Sequence, residues 1–248
     1  TTSPTGRSQL MMISEESAIS QSAQAYAQTM NEYAKKGQLY KDKALIDRVN
    51  EISGRLIYEA LIMRPDTRSW KWSMKVIDDP ETVNAWSMAG GRMALYTGLV
   101  EKIKPTDDEL AQVLAHEIAH ALAKHTAEKM SVAMASSLGV LAVAVATDNR
   151  NIATGASAAA LVAVTLPNSR TAESEADEIG IELAARAGYN PHAAVTLWQK
   201  MSKESGSSSF DFLSTHPSSG KRIERLDALV PSVMSYSEEH KPHPVYPL

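Results

Sequence analysis

Apolar residues recur at three- and four-residue steps from Ser14 onward: Ile19, Ala23, Tyr26, Ala27, Met30, Tyr33 and Ala34. That spacing makes one face of a helix, and Gly37 stands where it would end. A second helical run covers 42–63, with Leu45, Ile46, Val49, Ile52, Leu56, Ile57, Ala60 and Leu61 on one side. Arg64-Pro65-Asp66 stops it, because a proline disfavours helix in the residue before it. The period then changes to two. Trp70, Trp72, Met74 and Val76 alternate with Lys71, Ser73 and Lys75, which predicts a strand over 70–77. Residues 83–88 and 92–97 flank Ala89-Gly90-Gly91, a hairpin with glycines where positive φ is easy.

A short helix over 98–103 is broken by Lys104-Pro105. Thr106 and Glu109 form a capping-box pair, so the next helix starts near Asp107. Leu110, Val113, Leu114, Ile118, Ala121 and Leu122 supply its buried stripe, and it is expected to run past Met134. Residues 139–164 hold two small-residue stretches interrupted by the polar segment 147–151. Neither reaches the roughly 20 apolar residues of a membrane span; they read as two small-residue helices, with mobile segments, a cover over a cleft and a re-entrant hairpin as the open alternatives. Asn168-Ser169-Arg170 opens a helix to about Ala187, and Asn190-Pro191 opens another ending near Lys203. Residues 205–209 are a flexible loop, 210–213 dock on an apolar surface, and 215–219 are a second loop. A last helix covers 220–229, and Pro231 is expected to end it. The chain therefore reads as a disordered leader over 1–13, one domain over 14–230 and an extended tail over 231–248. The fold class is α+β, mainly helical, with a small antiparallel sheet before the helix at Asp107. An open strand edge in that sheet is suited to pairing with an extended backbone.

Composition narrows the function. The chain has 248 residues, 44% hydrophobic and 22% charged, with formal net charge −4. There is no basic surplus for nucleic acid. There is no cysteine, so a metal would have to be held by His, Asp or Glu. The small polar stretch 1–7 reads as the exposed start of a processed protein whose signal peptide has been removed, with room for a lipid anchor upstream of Thr1.

The chemistry centres on His116-Glu117-Ile118-Ala119-His120. One helical turn separates the two histidines, so both face one way and can grip one Zn²⁺. Glu117 lies beside them and can hold a water without binding the metal. A catalytic site needs a third protein ligand. His125 lies about 140° from His120 around a continuous helix, on the wrong face, and reads as a surface residue or one that supports a ligand from behind. Glu173 and Asp177 share a face of the helix at 170, while Glu175 points nearly opposite. Glu173 can bind the metal, and Asp177 can accept a hydrogen bond from a ligand histidine and select its tautomer.

These motifs together resemble the gluzincin peptidases related to HtpX and to the CAAX prenyl endopeptidase. The resemblance rests on residues 116–120, on 169–177, on Asn84-Ala85-Trp86 with Gly90-Gly91, on residues 97–100, and on Thr215-His216-Pro217 with Arg222-Ile223. It covers roughly 71–229. It implies a zincin-like fold, one zinc held by His116, His120 and Glu173, and Glu117 as catalytic acid/base. Membrane helices of those relatives are missing from this sequence. It is therefore more similar to the soluble BepA- and LoiP-like branch, which implies a periplasmic location in the bacterial cell envelope and unfolded or misassembled envelope proteins as substrates.

On that reading His216, helped by Arg222, is the candidate donor to the oxyanion. His216 has a second role open to it, as a latch that occupies the metal's free position. The substrate chain would lie along the hairpin edge near Asn84 and Ala85. The alternative function is a chaperone-like binding module for envelope proteins with latent or absent proteolysis. Glu117 discriminates, because a purely structural metal site has no use for a carboxylate beside the metal.

Overall fold

The computed structural model describes residues 1–135, 160, 163–204, 211–218 and 220–248. The expected 139–164 helices fall mostly outside them, and the 205–209 loop entirely so. Helices α1 (Glu15–Lys35) and α2 (Lys43–Met63) form where the apolar periodicity predicts. Ser14 and Asp42 cap them by accepting from the backbone N–H groups of Ser17 and Ala44. Three strands follow: β1 (Ser73–Ile77), β2 (Ala85–Met88) and β3 (Arg92–Tyr96). Their order is β1-β3-β2. The β2–β3 hairpin is antiparallel and turns on Gly90 and Gly91 at φ +85° and +76°, a conformation that side chains disfavour.

The sheet corrects one expectation. β1 runs parallel to β3, pairing Ser73 with Arg92 and Ile77 with Tyr96, so the sheet is mixed rather than antiparallel. Alternation of apolar residues reports which face is buried but is the same for both strand directions. The strand is also shorter than 70–77. Trp70 and Trp72 are nonetheless buried ahead of it, their rings tilted at 42° with centroids 5.2 Å apart.

A π-helical turn (Leu99–Ile103) leads to α3 (Asp107–Leu122), which opens with the expected capping box of Thr106 and Glu109. α3 is the axis of the fold. Every residue from Glu109 to Leu122 is buried, unlike an amphipathic surface helix. It packs most extensively on α5 (Arg170–Arg186) and also touches α2, β2 and α6 (His192–Glu204). Close approach of α5 depends on Gly180, where a Cβ would lie 3.1 Å from the His116 backbone nitrogen.

The helix expected to run past Met134 instead breaks. α3 ends at Leu122, Lys124 adopts left-handed φ of 60°, and α4 (His125–Ala135) starts in a new direction. No glycine marks the break. A short helix α7 (Asp211–Thr215) precedes α8 (Arg222–Ser237). Pro231 lies inside α8 rather than ending it. Interior proline costs roughly 3 kcal/mol, here offset by burial of Val230 and Val233 on the same helix. The tail accordingly begins after Ser237, and Tyr246 N–H still donates to Gly54 O at 3.0 Å.

Residues 1–13 are docked, not disordered. Thr2 and Ser8 form an antiparallel bridge, and Ser3, Gln9 and Ile13 are buried. The Met12 and Ile13 N–H groups donate to Ser131 Oγ at 2.9 and 3.0 Å. A segment held by polar contacts to distant residues carries no apolar period to announce it. Among the described residues no helix is long and apolar enough to cross a membrane.

Candidate metal centre

Four buried side chains converge: His116 and His120 from α3, Glu173 from the first turn of α5, and His216 from the loop after α7. Their donor atoms all lie within 4.8 Å of one another. His116 Nε2 is 3.0 Å from His120 Nε2. Glu173 Oε2 is 3.2 Å from His116 Nε2, and its Oε1 is 3.1 Å from His120 Nε2. His216 Nδ1 is 2.8 Å from Glu173 Oε1 and 3.2 Å from His116 Nε2. Imidazole and carboxylate atoms crowded this closely, away from water, suit a cation between them. The four can hold one metal ion.

Each partner is placed by local structure. Ser169 caps α5 by accepting from Ala172 N–H, which sets the turn carrying Glu173. The His216 loop is pinned twice, by Asn168 N–H donating to Thr215 O at 2.9 Å and Phe212 N–H donating to Val83 O at 3.0 Å. Phe212 is buried, and its ring stacks on His216 with centroids 4.2 Å apart. The sequence expectation that this segment docks on an apolar surface therefore describes what carries His216 to the centre. Glu117 faces the cleft, with Oε1 3.0 Å from His216 Nε2.

Behind these four side chains stand further charges. His116 Nδ1 is 3.1 Å from Asp177 Oδ1. Arg222 Nη2 donates to the same oxygen at 2.6 Å, and its Nη1 is 3.1 Å from Glu173 Oε2. Arg222 was expected beside His216 as a donor to the oxyanion. The structure puts it behind Glu173 and Asp177, over the Trp198 ring, where it balances carboxylate charge. Burial disfavours the charged forms of all these groups, yet Glu173 stays well below the usual carboxylate range beside His216, His116 and His120. Asp177 is lowered by His116 and Arg222 in the same way. Against the same penalty, Glu173 and Asp177 push His116 up to about 9. Burial keeps His120 well below its ordinary value.

The cleft of about 350 Å³ in front of the centre is lined by Trp86, Ser87, Glu117, Lys129, Asn168 and His216, among others. Ser87 Oγ donates to Glu117 O at 2.7 Å. Among the described residues β2 is an edge strand, with β3 on one side. The Ala85 side chain is buried in the main core and Asn84 Oδ1 accepts from Ala85 N–H. The side chains of this hairpin that reach the cleft are instead Trp86 and Ser87.

Sequence reasoning passed over Asn168, whose Nδ2 donates to Glu173 Oε1 at 2.8 Å. It also put Lys129 nowhere; burial lowers that amine to about 8, and it donates to Leu166 O. His125 was half found. It is buried and bonds His120 Nδ1 through its own Nδ1 at 2.7 Å, because the break at Lys124 undoes the rotation assumed for one continuous helix. Glu175, judged to point away from Glu173, does so, and binds His125.

The profile of Peptidase family M48 matches residues 44–230. Mitochondrial metalloendopeptidase OMA1 of Schizosaccharomyces pombe is 40% identical over 165 residues, covering 65% of this chain and 47% of that protein. Metalloendopeptidase OMA1, mitochondrial, of Homo sapiens is 33% identical over 249 residues, covering 94% and 46%. The beta-barrel assembly-enhancing protease of Escherichia coli is 28% identical over 219 residues, covering 81% and 43%. The chain spans about half the length of the curated relatives it matches, or less. The expected bacterial, periplasmic location is overturned by the OMA1 relatives, which are mitochondrial proteins of yeasts, plants and animals. Location is written in targeting segments, and a shared metal motif does not carry it.

Proposed function

The chain belongs to peptidase family M48, and from that premise we propose that it is a zinc endopeptidase acting on extended or unfolded protein chains. The observation that carries this reading is the meeting of His116, His120 and Glu173 beside the carboxylate of Glu117. Their separations of 3.0 to 3.2 Å fit the donor set. Two donors about 2.0–2.1 Å from one tetrahedral zinc lie roughly 3.3 Å apart. Zinc held there would supply Lewis acidity, polarising a carbonyl and acidifying a water. Glu117 accepts the proton of the attacking water on its carboxylate and returns it to the leaving amine nitrogen. Asp177 orients His116, and Arg222 holds Asp177 and Glu173 against their own repulsion.

His216 is the donor to the developing oxyanion in this reading, since Nε2 already faces Glu117 Oε1. A second reading is favoured by its other nitrogen, Nδ1, which lies 3.2 Å from His116 Nε2. From there it would join His116, His120 and Glu173 as a fourth donor and keep the enzyme latent. His216→Ala lowers casein cleavage if it is the donor and raises it if it is the latch; an unchanged rate removes both roles. The substrate backbone is proposed to extend the sheet along the edge of β2 that is open among the described residues, at Trp86 and Ser87.

The test is casein digestion by the zinc-loaded protein beside Glu117→Gln, with zinc content measured in both. Loss of a general acid/base of this kind lowers the rate by about 10²–10⁴-fold, and the variant is expected to keep its zinc. Zinc bound by both proteins with cleavage by neither favours the His216 latch or the binding module over an active peptidase. No zinc in either removes the ligand assignment.

A further inference from the structure

Both α3 ligands have a carboxylate behind them, but only one touches it directly. His120 presents Nε2 to the cluster and Nδ1 to the rear, where it meets His125 Nδ1 at 2.7 Å. His125 Nε2 in turn lies 3.1 Å from Glu175 Oε2. A carboxylate only accepts, so His125 donates from Nε2 and has a lone pair left on Nδ1. That lone pair accepts the proton of His120 Nδ1. His120 is then left with its lone pair on Nε2, which is the form a metal ligand needs.

The carboxylate at the root of this relay is held by the docked N-terminal segment. Thr5 Oγ1 donates to Glu175 Oε1 at 2.6 Å, and Arg7 Nε donates to Oε2 at 2.9 Å. Arg7 also spans to α4 with two bonds to Glu128, at 2.7 and 2.6 Å. Gln9 Nε2 donates to Ala123 O at 2.7 Å, at the break that turns His125 inward. Removing the segment would leave Glu175, 4% exposed, facing Glu128 without the cation between them.

We propose that Arg7, with Glu175 and His125, is a positioning group for His120, selecting the tautomer that presents Nε2 to the metal. This rests on the reading of His116, His120 and Glu173 as zinc ligands. It assigns residues 1–9 a task in metal binding although they lie outside the matched region 44–230.

The test uses the whole chain. Zinc affinity is measured by competition with a chromogenic chelator, and the His120 tautomer by ¹⁵N NMR of histidine-labelled protein kept metal-free. Glu175→Leu, which removes the acceptor, and His125→Phe are expected to weaken zinc by about 10–100-fold, the usual effect of losing such a partner. Both should move the His120 signal away from the Nδ1–H form. His125→Asn puts an amide oxygen where the accepting nitrogen was and should bind within about threefold of the parent, against that larger loss. Arg7→Ala should weaken zinc by several-fold. Arg186→Ala, which removes an ion pair to Glu182 on the same helix as Glu175, should change nothing. Parent-like zinc affinity and tautomer in folded Glu175→Leu would overturn the proposal, as would an equal loss in Arg186→Ala. If the parent binds no zinc, the ligand reading fails, while the tautomer measurement still decides the relay.

Discussion

The His116 side and the His120 side of the centre solve one problem with different materials. On the His116 side, Asp177 faces the imidazole directly and is gripped by Arg222 and Arg225 from α8. Asp177 and Arg222 side chains are each 2% exposed. On the His120 side an extra imidazole intervenes, and the anchoring pair of Arg7 and Glu128 is 23% and 18% exposed. One arm is rooted inside the core between helices, with only Arg225 reaching the surface. The other runs outward to a polar segment laid on the surface. The two imidazoles are therefore held at very different depths, and the shallower arm is the one a perturbation of the N-terminal segment would reach.

The comparison can be broken by removing the two anchors. Arg222→Ala takes from the buried Glu173 its arginine and leaves Asp177 only Arg225, and is expected to cost about 3–5 kcal/mol in denaturant unfolding of the metal-free protein. Arg7→Ala takes a partly exposed cation from Glu128 and from the buried Glu175, which keeps Thr5 and His125, so about 1–3 kcal/mol is expected. Equal costs would mean that depth does not separate the arms. Gly180→Val crowds the His116 backbone at the α3–α5 crossing and should cost about 1–3 kcal/mol by the same measurement. Its zinc loss should arise on the His116 side, with the His120 tautomer signal unmoved. The smallest effect belongs to Arg225→Ala. That side chain is 37% exposed, and Arg222 still holds Asp177, so a change within roughly 1 kcal/mol is expected. A larger one would show that Asp177 needs both cations.

Depth also governed what could be read beforehand. His116, Glu117 and His120 lie within one turn and a half of α3, and helix geometry alone aligns them. Glu173 and Asp177 were legible for the same reason, once the start of α5 was located by Ser169. The direct arm was thus half visible through the local spacing of Asp177 from Glu173. The relayed arm was not. The rotation assigned to His125 assumed that α3 continued, and Lys124 carries no glycine signal for the left-handed turn that ends it. Arg7 meets Glu175 across 168 residues, and no periodicity spans that distance.

What the sequence by itself determined is local in its physics. Helix caps at Ser14, Asp42, Thr106 and Ser169, the Gly90-Gly91 turn and the shared face of His116 and His120 follow from bonds and sterics within a few residues. Those preferences act before any tertiary contact exists. The direction of β1, the survival of α8 through Pro231, the turning of Arg222 away from the cleft and the docking of residues 1–13 were decided only in the folded molecule. Each depends on burying a group against partners far along the chain. A buried charge must find its counter-charge wherever the packed helices bring one, and sequence spacing does not encode where that is.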